Sequence, residues 1–476
     1  MQLHNRLTTL SHLIELVGAI ALGGGALAAC QTDDTSDAAL VLAATAAGFE
    51  LATHGCAMAH CDPRMSDLVA STSPTGSPGI RWTKAVSGPS VGVGCASNGT
   101  VAACTVAGSS GVGPFLYSFD ADGAVLWSSG TELGSDAMAS APMVSTTGEV
   151  IAADSTRLVR FDAAGQVAWR SLWPSDFGNP ISPSQTAAGY IVAASSGGYV
   201  VAHDAQTGAE VGSLVLSATV SGVPGRFVTH NTPAIRGERI YVSTEFVPTS
   251  GTDATHTGRL YAIDLDPSQP AESRMTVAWL FEMGSTSGAS PLAVDDVIYF
   301  DGDRLAPNTE TEDPHFFAVR DLGSRGALLW THPLAASAVA SAAQDPRGGL
   351  WVYANKQPTL TRLGPDGTVL QALDVDALVG EAGVHHPASP VSVQQGPAGQ
   401  PYLVFTAAPA LGHVYAMAVD AVAETVAWKV EVGGGVIIGT SGQFPVVRDA
   451  ADEPVVICRT DNGVVGIGAG DGGAVR

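Results

Sequence analysis

Basic side chains are scarce in this chain of 476 residues. It contains 22 Lys and Arg against 45 Asp and Glu, which gives a formal net charge of −23. A surface this acidic lacks the positive footprint that binds phosphate backbones, so the composition excludes nucleic acid as a partner. The same charge repels anionic lipid headgroups, so electrostatic attraction does not attach the protein to a membrane.

Motifs for several kinds of cofactor site are also missing. The sequence contains no Walker loop, no vicinal pair of cysteines and no Cys-x-x-Cys-His site for haem. Charged residues make up only 14% of the chain, whereas 45% are hydrophobic and Gly (56) and Pro (28) are abundant. This balance favours many short strands joined by tight turns.

The N-terminus has the composition of an export signal. Arg6 is the only Lys or Arg before position 30, and the apolar stretch 13–29 ends in two alanines immediately before Cys30. Small residues before a cleavage point are typical of signal peptides, and the following cysteine resembles a bacterial lipobox. We predict a lipoprotein signal peptide at 1–29 and lipidation of Cys30. A simple secretory signal with an incidental cysteine and an uncleaved helix are the alternatives.

The residues after Cys30 predict a location and a domain boundary. Gln31, rather than Asp, follows the cysteine, which by the sorting rule for Gram-negative lipoproteins implies the outer membrane, facing the periplasm. The polar segment 31–37 and the Ser/Pro/Gly-rich segment 71–79 are typical of a tether and a linker. We therefore predict a lipidated tether and Cys/His-containing extension at 30–78 and a repeat domain at 79–476.

The repeat domain consists of one strand–turn–strand pattern that recurs to the end of the chain. Each repeat divides into an inner strand that opens with a small residue near proline, then a β-branched or aromatic second strand, then a third strand. Each type occurs eight times. The inner strands open at Pro89-Ser90, Ser140, Ser182, Thr232, Ser290, Ser341, Ser389 and Phe444-Pro445; the second strands are predicted at 100–106, 149–154, 190–195, 239–244, 297–302, 350–355, 401–406 and 454–459; the third at 114–120, 157–162, 199–204, 259–264, 315–320, 359–364, 413–420 and 464–469.

The fourth, outer strand follows the third strand only seven times, and its eighth copy is GIRW at 79–82, before the first full repeat. This offset is what a propeller needs in order to close, because the N-terminal strand completes the last blade and removes a free sheet edge. We predict an all-β, eight-bladed propeller of four-stranded antiparallel blades. Tryptophans on the outer strands are predicted to pack between blades; they are Trp82, Trp127, Trp169, Trp279, Trp330 and Trp428.

The pattern Ala-x-Asp-x-x-Thr-Gly-x-x-x-Trp resembles the PQQ-type repeat of the quinoprotein alcohol dehydrogenase-like β-propellers, and Asp204, Thr207 and Gly208 match it best. The resemblance covers roughly residues 60–476 and implies fold more than function. Dehydrogenases of this family hold PQQ and calcium, typically with a vicinal disulfide that this chain lacks. The eight blades and the lipobox are similar in layout to the BamB-type outer-membrane assembly factors, which implies a scaffold without a cofactor.

The five remaining cysteines and nearby histidines leave two interpretations open. In an exported protein Cys56 with Cys61, and Cys95 with Cys104, are candidate disulfides. A two-residue turn at Asn98-Gly99 would place the second pair diagonally on one face. Alternatively, His54, Cys56, His60 and Cys61 are weak candidates for a zinc or copper site.

Two long inserts, 246–258 and 304–315, interrupt the repeats between second and third strands, and such loops usually carry binding function. We expect an envelope protein partner to bind propeller loops, and the chain to be a non-catalytic binding or assembly scaffold with no catalytic residue assigned. A PQQ- or metal-dependent oxidoreductase and a surface-exposed sensor or adhesion lipoprotein are the alternatives.

Overall fold

A computed structural model gives the fold and divides the chain into two units, 1–46 and 47–476. All of the residues that the structure describes belong to the second unit. The predicted signal peptide, Cys30, Pro89-Ser90 and most of the 304–315 insert lie outside them. The described residues are 48–86, 94–106, 113–134, 140–250, 256–286, 288–304, 313–338, 340–381, 383–409, 413–434, 443–460 and 463–469.

The described chain is almost entirely β-structure, because β-branched and aromatic runs alternate with Gly- and Asp-containing turns. Its strands form eight sheets of at least four strands each, which confirms the predicted eight-bladed propeller. The pairing within the blades is antiparallel, and the strand Leu68–Thr72 adds to one sheet by pairing in parallel with Ser392–Gln395. No helix in the part that the structure describes has the length and apolar character needed to span a membrane.

The first half of the ring holds two N-terminal strands, three regular blades and one enlarged blade. The strands are β1 (Leu68–Thr72) and β2 (Gly79–Lys84); blade 1, β3 (Cys95–Ser97), β4 (Ala102–Thr105), β5 (Leu116–Phe119) and β6 (Val125–Ser128); blade 2, β7 (Met143–Val144), β8 (Val150–Ala153), β9 (Arg157–Phe161) and β10 (Val167–Leu172); blade 3, β11 (Ser184–Gln185), β12 (Ile191–Ala194), β13 (Tyr199–His203) and β14 (Glu210–Val215); and blade 4, β15 (Ser217–Val220), β16 (Val223–Val228), β17 (Ala234–Arg236), β18 (Arg239–Pro248), β19 (Thr257–Leu265) and β20 (Met275–Gly284).

The second half completes the ring and contains one short α-helix among the described residues. The elements are blade 5, β21 (Leu292–Val294), β22 (Val297–Asp303), β23 (Pro314–Asp321) and β24 (Gly326–Pro333); blade 6, β25 (Ala343–Gln344), β26 (Leu350–Tyr353), β27 (Thr359–Leu363) and β28 (Val369–Asp374); helix α1 (Val375–Val379); blade 7, β29 (His386–Pro387), β30 (Ser392–Gln395), β31 (Pro401–Ala408), β32 (His413–Asp420) and β33 (Thr425–Gly434); and blade 8, β34 (Val446–Arg448), β35 (Pro454–Thr460) and β36 (Gly463–Gly468). Short 3₁₀ turns lie at Ser175–Phe177 and Ala271–Ser273.

The ring closes as predicted. Strand β2 pairs antiparallel with β36, with Ile80 opposite Ile467, so the N-terminal strand is the outer strand of blade 8. The last sheet therefore combines strands from both ends of the repeat domain, and its outer edge is occupied in the same way as in the other blades.

Turn glycines let the outer-strand tryptophans pack against the next blade. Gly165 has φ +80°, and a Cβ added to it would lie 2.7 Å from the Trp127 ring. Glycine adopts positive φ without strain and has no Cβ, so the turn and the indole can approach each other closely. The same pairing joins Trp82 to Gly123, Trp169 to Gly208 and Trp330 to Gly367.

A buried carboxylate joins blades 4 and 5. Asp321 accepts hydrogen bonds from Tyr241 Oη (2.6 Å), Arg239 Nη1 (2.9 Å) and Trp279 Nε1 (2.9 Å). Burial alone would raise the pKa of Asp321, but the hydrogen bonds from Tyr241 and Arg239 outweigh it and hold the pKa at about 2. Trp279 therefore bonds to a charged group, whereas Trp82 donates to the backbone oxygen of Ala121.

Candidate functional site

One mouth of the propeller channel is closed by residues 49–73, which we call the closing segment. It bonds to every blade, six times through backbone N–H groups that the inner strands turn toward the channel. The six backbone hydrogen bonds run from Ser97 N–H to Cys56 O (2.7 Å), Val144 to Ala57 O (2.7 Å), Ile235 to Pro63 O (2.6 Å), Ala293 to Arg64 O (2.9 Å), Gln344 to Ser66 O (2.9 Å) and Val393 to Asp67 O (2.8 Å). In blades 3 and 8 a side chain donates instead: Gln185 to Phe49 O (2.9 Å) and Arg448 to Thr72 Oγ1 (2.8 Å).

These contacts define the two faces of the ring. Ser97, Val144, Gln185 and Gln344 are each the last residue of their inner strand. The closing segment therefore covers the face where first strands turn into second strands, which we call the closed face. An inner strand has an unpaired edge toward the channel, and the closing segment accepts hydrogen bonds from N–H groups of that edge in six of the blades.

Three buried side chains connect the closing segment to blade 6. His60 Nδ1 lies 2.9 Å from Asp67 Oδ2, and Ser341 Oγ lies 3.2 Å from His60 Nε2. Burial raises the pKa of Asp67, and the contact with His60 opposes that shift. Ser341 Oγ also accepts the N–H of Ser290 (2.8 Å), so the hydroxyl contacts both blade 5 and the closing segment.

This Ser–His–Asp arrangement has the order of a hydrolytic triad, but the serine is part of a repeated structural bridge. Ser182 Oγ accepts the N–H of Ala141, and Ser290 Oγ accepts the N–H of Thr232, in the same way that Ser341 Oγ accepts from Ser290. The hydroxyl of Ser341 therefore joins two blades and fastens the closing segment. The sequence marks Ser341 only as the start of an inner strand, and Asp67 belongs to no local motif, so neither was recognisable as part of this cluster.

The predicted metal ligands have other partners in the structure. Cys56 and Cys61 form a disulfide, His60 contacts Asp67 and Ser341, and His54 is exposed. Within the described part of the chain, no three His, Cys, Asp or Glu side chains gather closely enough to hold a metal ion.

The second disulfide differs in register from the expected one. Cys95 and Cys104 are bonded and lie directly opposite each other, with Ser97 opposite Ala102. The connection is therefore the four residues 98–101, not a two-residue turn, and the pair is not diagonal. Cys458 is free and buried, and its burial raises the pKa of the thiol to about 12.

Blade 4 extends beyond the ring on the face opposite the closing segment, which we call the open face. Its strand β18 continues to Pro248 and pairs with the extra hairpin β15–β16, so that Gly225 lies opposite Pro248 and Val228 opposite Glu245. We call residues 217–228 with 245–248 the wing. The predicted insert 246–258 is partly strand, since its ends belong to β18 and β19, while 251–255 lie outside the described residues.

The wing combines buried aromatic rings with two exposed valines. Inside, the Phe227 ring lies 5.3 Å from Phe246, and Arg259 lies 4.3 Å from the Phe227 centroid. Outside, Val223 and Val247 remain 39% and 44% exposed. Phe227 and Phe246 belong to the hydrophobic core that blades 3 and 4 share, so the propeller itself supports the wing. No sequence signal marked β15–β16, because the hairpin lies in what appeared to be a link between repeats.

A family model described as the outer membrane protein assembly factor BamB matches residues 64–309 and 154–417. No curated protein matches the chain. Among solved structures, the quinohemoprotein alcohol dehydrogenase from Comamonas testosteroni has a TM-score of 0.60 at 12% identity, covering 91% of this chain and 82% of that one. A europium-containing methanol dehydrogenase has a TM-score of 0.57 at 13% identity, covering 87% of this chain and 90% of that one.

BamB from Moraxella catarrhalis has a TM-score of 0.42 at 12% identity, covering 84% of this chain and 99% of that one. Identities this low show the fold alone, since one propeller architecture hosts unrelated activities. The residues of this chain that the family model matches, by contrast, include most of the repeat domain.

Proposed function

We propose that this chain, which belongs to the family of the outer membrane protein assembly factor BamB, is a non-catalytic protein-binding scaffold of the cell envelope. In this proposal the signal peptide 1–29 is removed and lipid on Cys30 holds the protein at the outer membrane, facing the periplasm. Residues 30–78 provide the tether and the closing segment, and 79–476 form the propeller.

The wing is the observation that carries the proposal. It is an addition to the repeat that the ring does not need for closure, and its outer surface exposes Val223 and Val247. Exposed apolar side chains on a rigid base are typical of protein-binding surfaces. The closed face is already bonded to the chain's own segment, so the open face is the side on which a partner finds free surface.

Site-specific photo-crosslinking tests this proposal. A benzophenone amino acid is placed at Val223 or Val247 in the exported, lipidated protein, and at Leu370 on the outer strand of blade 6 as the control, which is 51% exposed. We expect one discrete adduct from both wing positions, containing an integral outer-membrane protein, and none from Leu370. Adducts of equal yield from all three positions would reject the wing as the partner site.

The oxidoreductase alternative is tested separately. The protein is exported with PQQ and calcium supplied, and its absorption spectrum and metal content are measured. A quinone absorbance or stoichiometric zinc or copper would overturn the scaffold proposal. Protease accessibility on intact cells distinguishes a periplasmic scaffold, which is protected, from a surface-exposed sensor, which is cleaved.

A further inference from the structure

A buried arginine lies at the seam where the last blade meets the first. Arg459 is the penultimate residue of β35, and its Nη1 donates a hydrogen bond of 2.6 Å to the backbone oxygen of Thr105 at the end of β4. Both strands end toward the open face. The side chain is therefore fixed by blade 1, and only 6% of the residue is exposed.

The other edge of this guanidinium consists of Nε and Nη2. Nε and Nη2 of Arg459 are both buried and have no hydrogen-bond partner within the part of the chain that the structure describes. Burial lowers the pKa of Arg459 to about 10. Arg160, which is also buried, instead has its charge met by Glu149 at 2.8 Å. Among the described residues, this buried cation therefore has no carboxylate partner, although carboxylates outnumber Lys and Arg twofold in the sequence.

We propose that Arg459 is an oxyanion-binding site. Its Nε–H and Nη2–H point in parallel from one edge of the guanidinium, which is the geometry that accepts two oxygens of one carboxylate or phosphate group. The bond to Thr105 preorganises that edge, and the low local dielectric strengthens the charge-assisted hydrogen bonds that a bound anion would form. The ligand class is a small molecule bearing a carboxylate or a phosphate. The site is independent of the wing and does not rest on the scaffold proposal.

Thermal unfolding of the mature chain tests the site with inorganic phosphate and acetate as probes, against chloride at matched ionic strength. We expect a saturable rise in Tm, on the order of 5 °C at a hundredfold excess over Kd. The stronger of the two probes identifies a tetrahedral or a planar ligand. Arg459→Met should abolish the rise, and its Tm without anion should equal or exceed that of the wild type, because an unpaired buried charge is removed.

Two further variants make the result specific. Arg459→Lys keeps the charge but loses the two-pronged edge, so the affinity for the stronger probe should fall at least about tenfold. Arg459→Lys also replaces Arg459→Met as the test variant if Arg459→Met does not fold. Arg170→Met changes an exposed arginine on β10 and should keep the full response. The proposal would be overturned if the rise in Tm in Arg459→Met or Arg459→Lys equalled that in the wild type. It would also be overturned if neither probe raised the Tm of the wild type.

Discussion

At the residue scale, Asp321 accepts hydrogen bonds from five donors, namely Tyr241 Oη, Trp279 Nε1, Arg239 Nη1, Arg236 Nη2 and the N–H of Gly323. The side chain is fully buried and pairs with Arg236 and Arg239, of which Arg239 also pairs with Asp264 at 2.7 Å. We predict that Asp321→Asn lowers the free energy of unfolding by about 2–4 kcal/mol, since it removes a charge that two arginines bond to and places a buried amide among hydrogen-bond donors. Urea denaturation measures this. Asp122→Asn, at a carboxylate 72% exposed beside Arg81, should change stability by less than about 0.5 kcal/mol.

The same carboxylate predicts an acid dependence. The folded-state pKa of Asp321, about 2, lies below the ordinary value of 3.8. Its contribution to stability is therefore fully present above the unfolded pKa and is lost as the pH falls toward 2. The difference in Tm between wild type and Asp321→Asn should be constant above about pH 5 and shrink below about pH 4. A difference that grows on acidification would contradict the assignment.

A turn glycine gives a second prediction at this scale. Gly165→Ala places a methyl group against the Trp127 ring at positive φ, so both strain and clash oppose it. We expect a loss of about 2–3 kcal/mol in urea denaturation. Gly222→Ala has a similar φ of +84° but open space around it, and should lose only about 1 kcal/mol. Equal losses would mean that the indole is not the cause.

At the element scale, the closing segment depends on His60. Replacing His60 leaves Asp67 buried without its partner and removes the link to Ser341. We predict that His60→Gln accelerates amide hydrogen exchange across residues 56–67 by at least about tenfold, while exchange in the second strands of the blades is unchanged. His54→Gln, at an exposed histidine just before this loop, should leave exchange as in the wild type. Unchanged protection in His60→Gln would show that backbone bonds alone hold the segment.

The elements divide into those that the sequence predicts and those that it does not. Second, third and outer strands repeat a local hydrophobic pattern, so the predicted range 149–154 contains the observed β8 and the predicted range 276–279 falls within β20. The closing segment has no such pattern, because its partners are the inner strands of eight different blades. Disulfide partners were predicted from spacing within one short segment, whereas Ser341 and His60 are 281 positions apart. Arg459 carries no local signal, since its lack of a partner appears only in three dimensions.

At the scale of the whole molecule, ring closure depends on β2. Replacing residues 79–84 with Gly and Ser removes the outer strand of blade 8 and the indole of Trp82 that packs on blade 1. We predict a fall in Tm of at least about 5 °C and concentration-dependent association, because β36 becomes a free edge. Light scattering and thermal unfolding measure both effects. The same replacement in β15, an outer hairpin strand of blade 4, should leave the ring closed and the protein monomeric.

The closing segment also has a consequence for the order in which the chain folds. The chain is synthesised from its N-terminus, yet Thr72 is bonded to Arg448, which lies 376 positions later. At ordinary synthesis rates that interval is on the order of half a minute, and during it residues 49–84 have no complete ring to occupy. Among the described residues, the part of the chain that is made first is therefore the last to be packed.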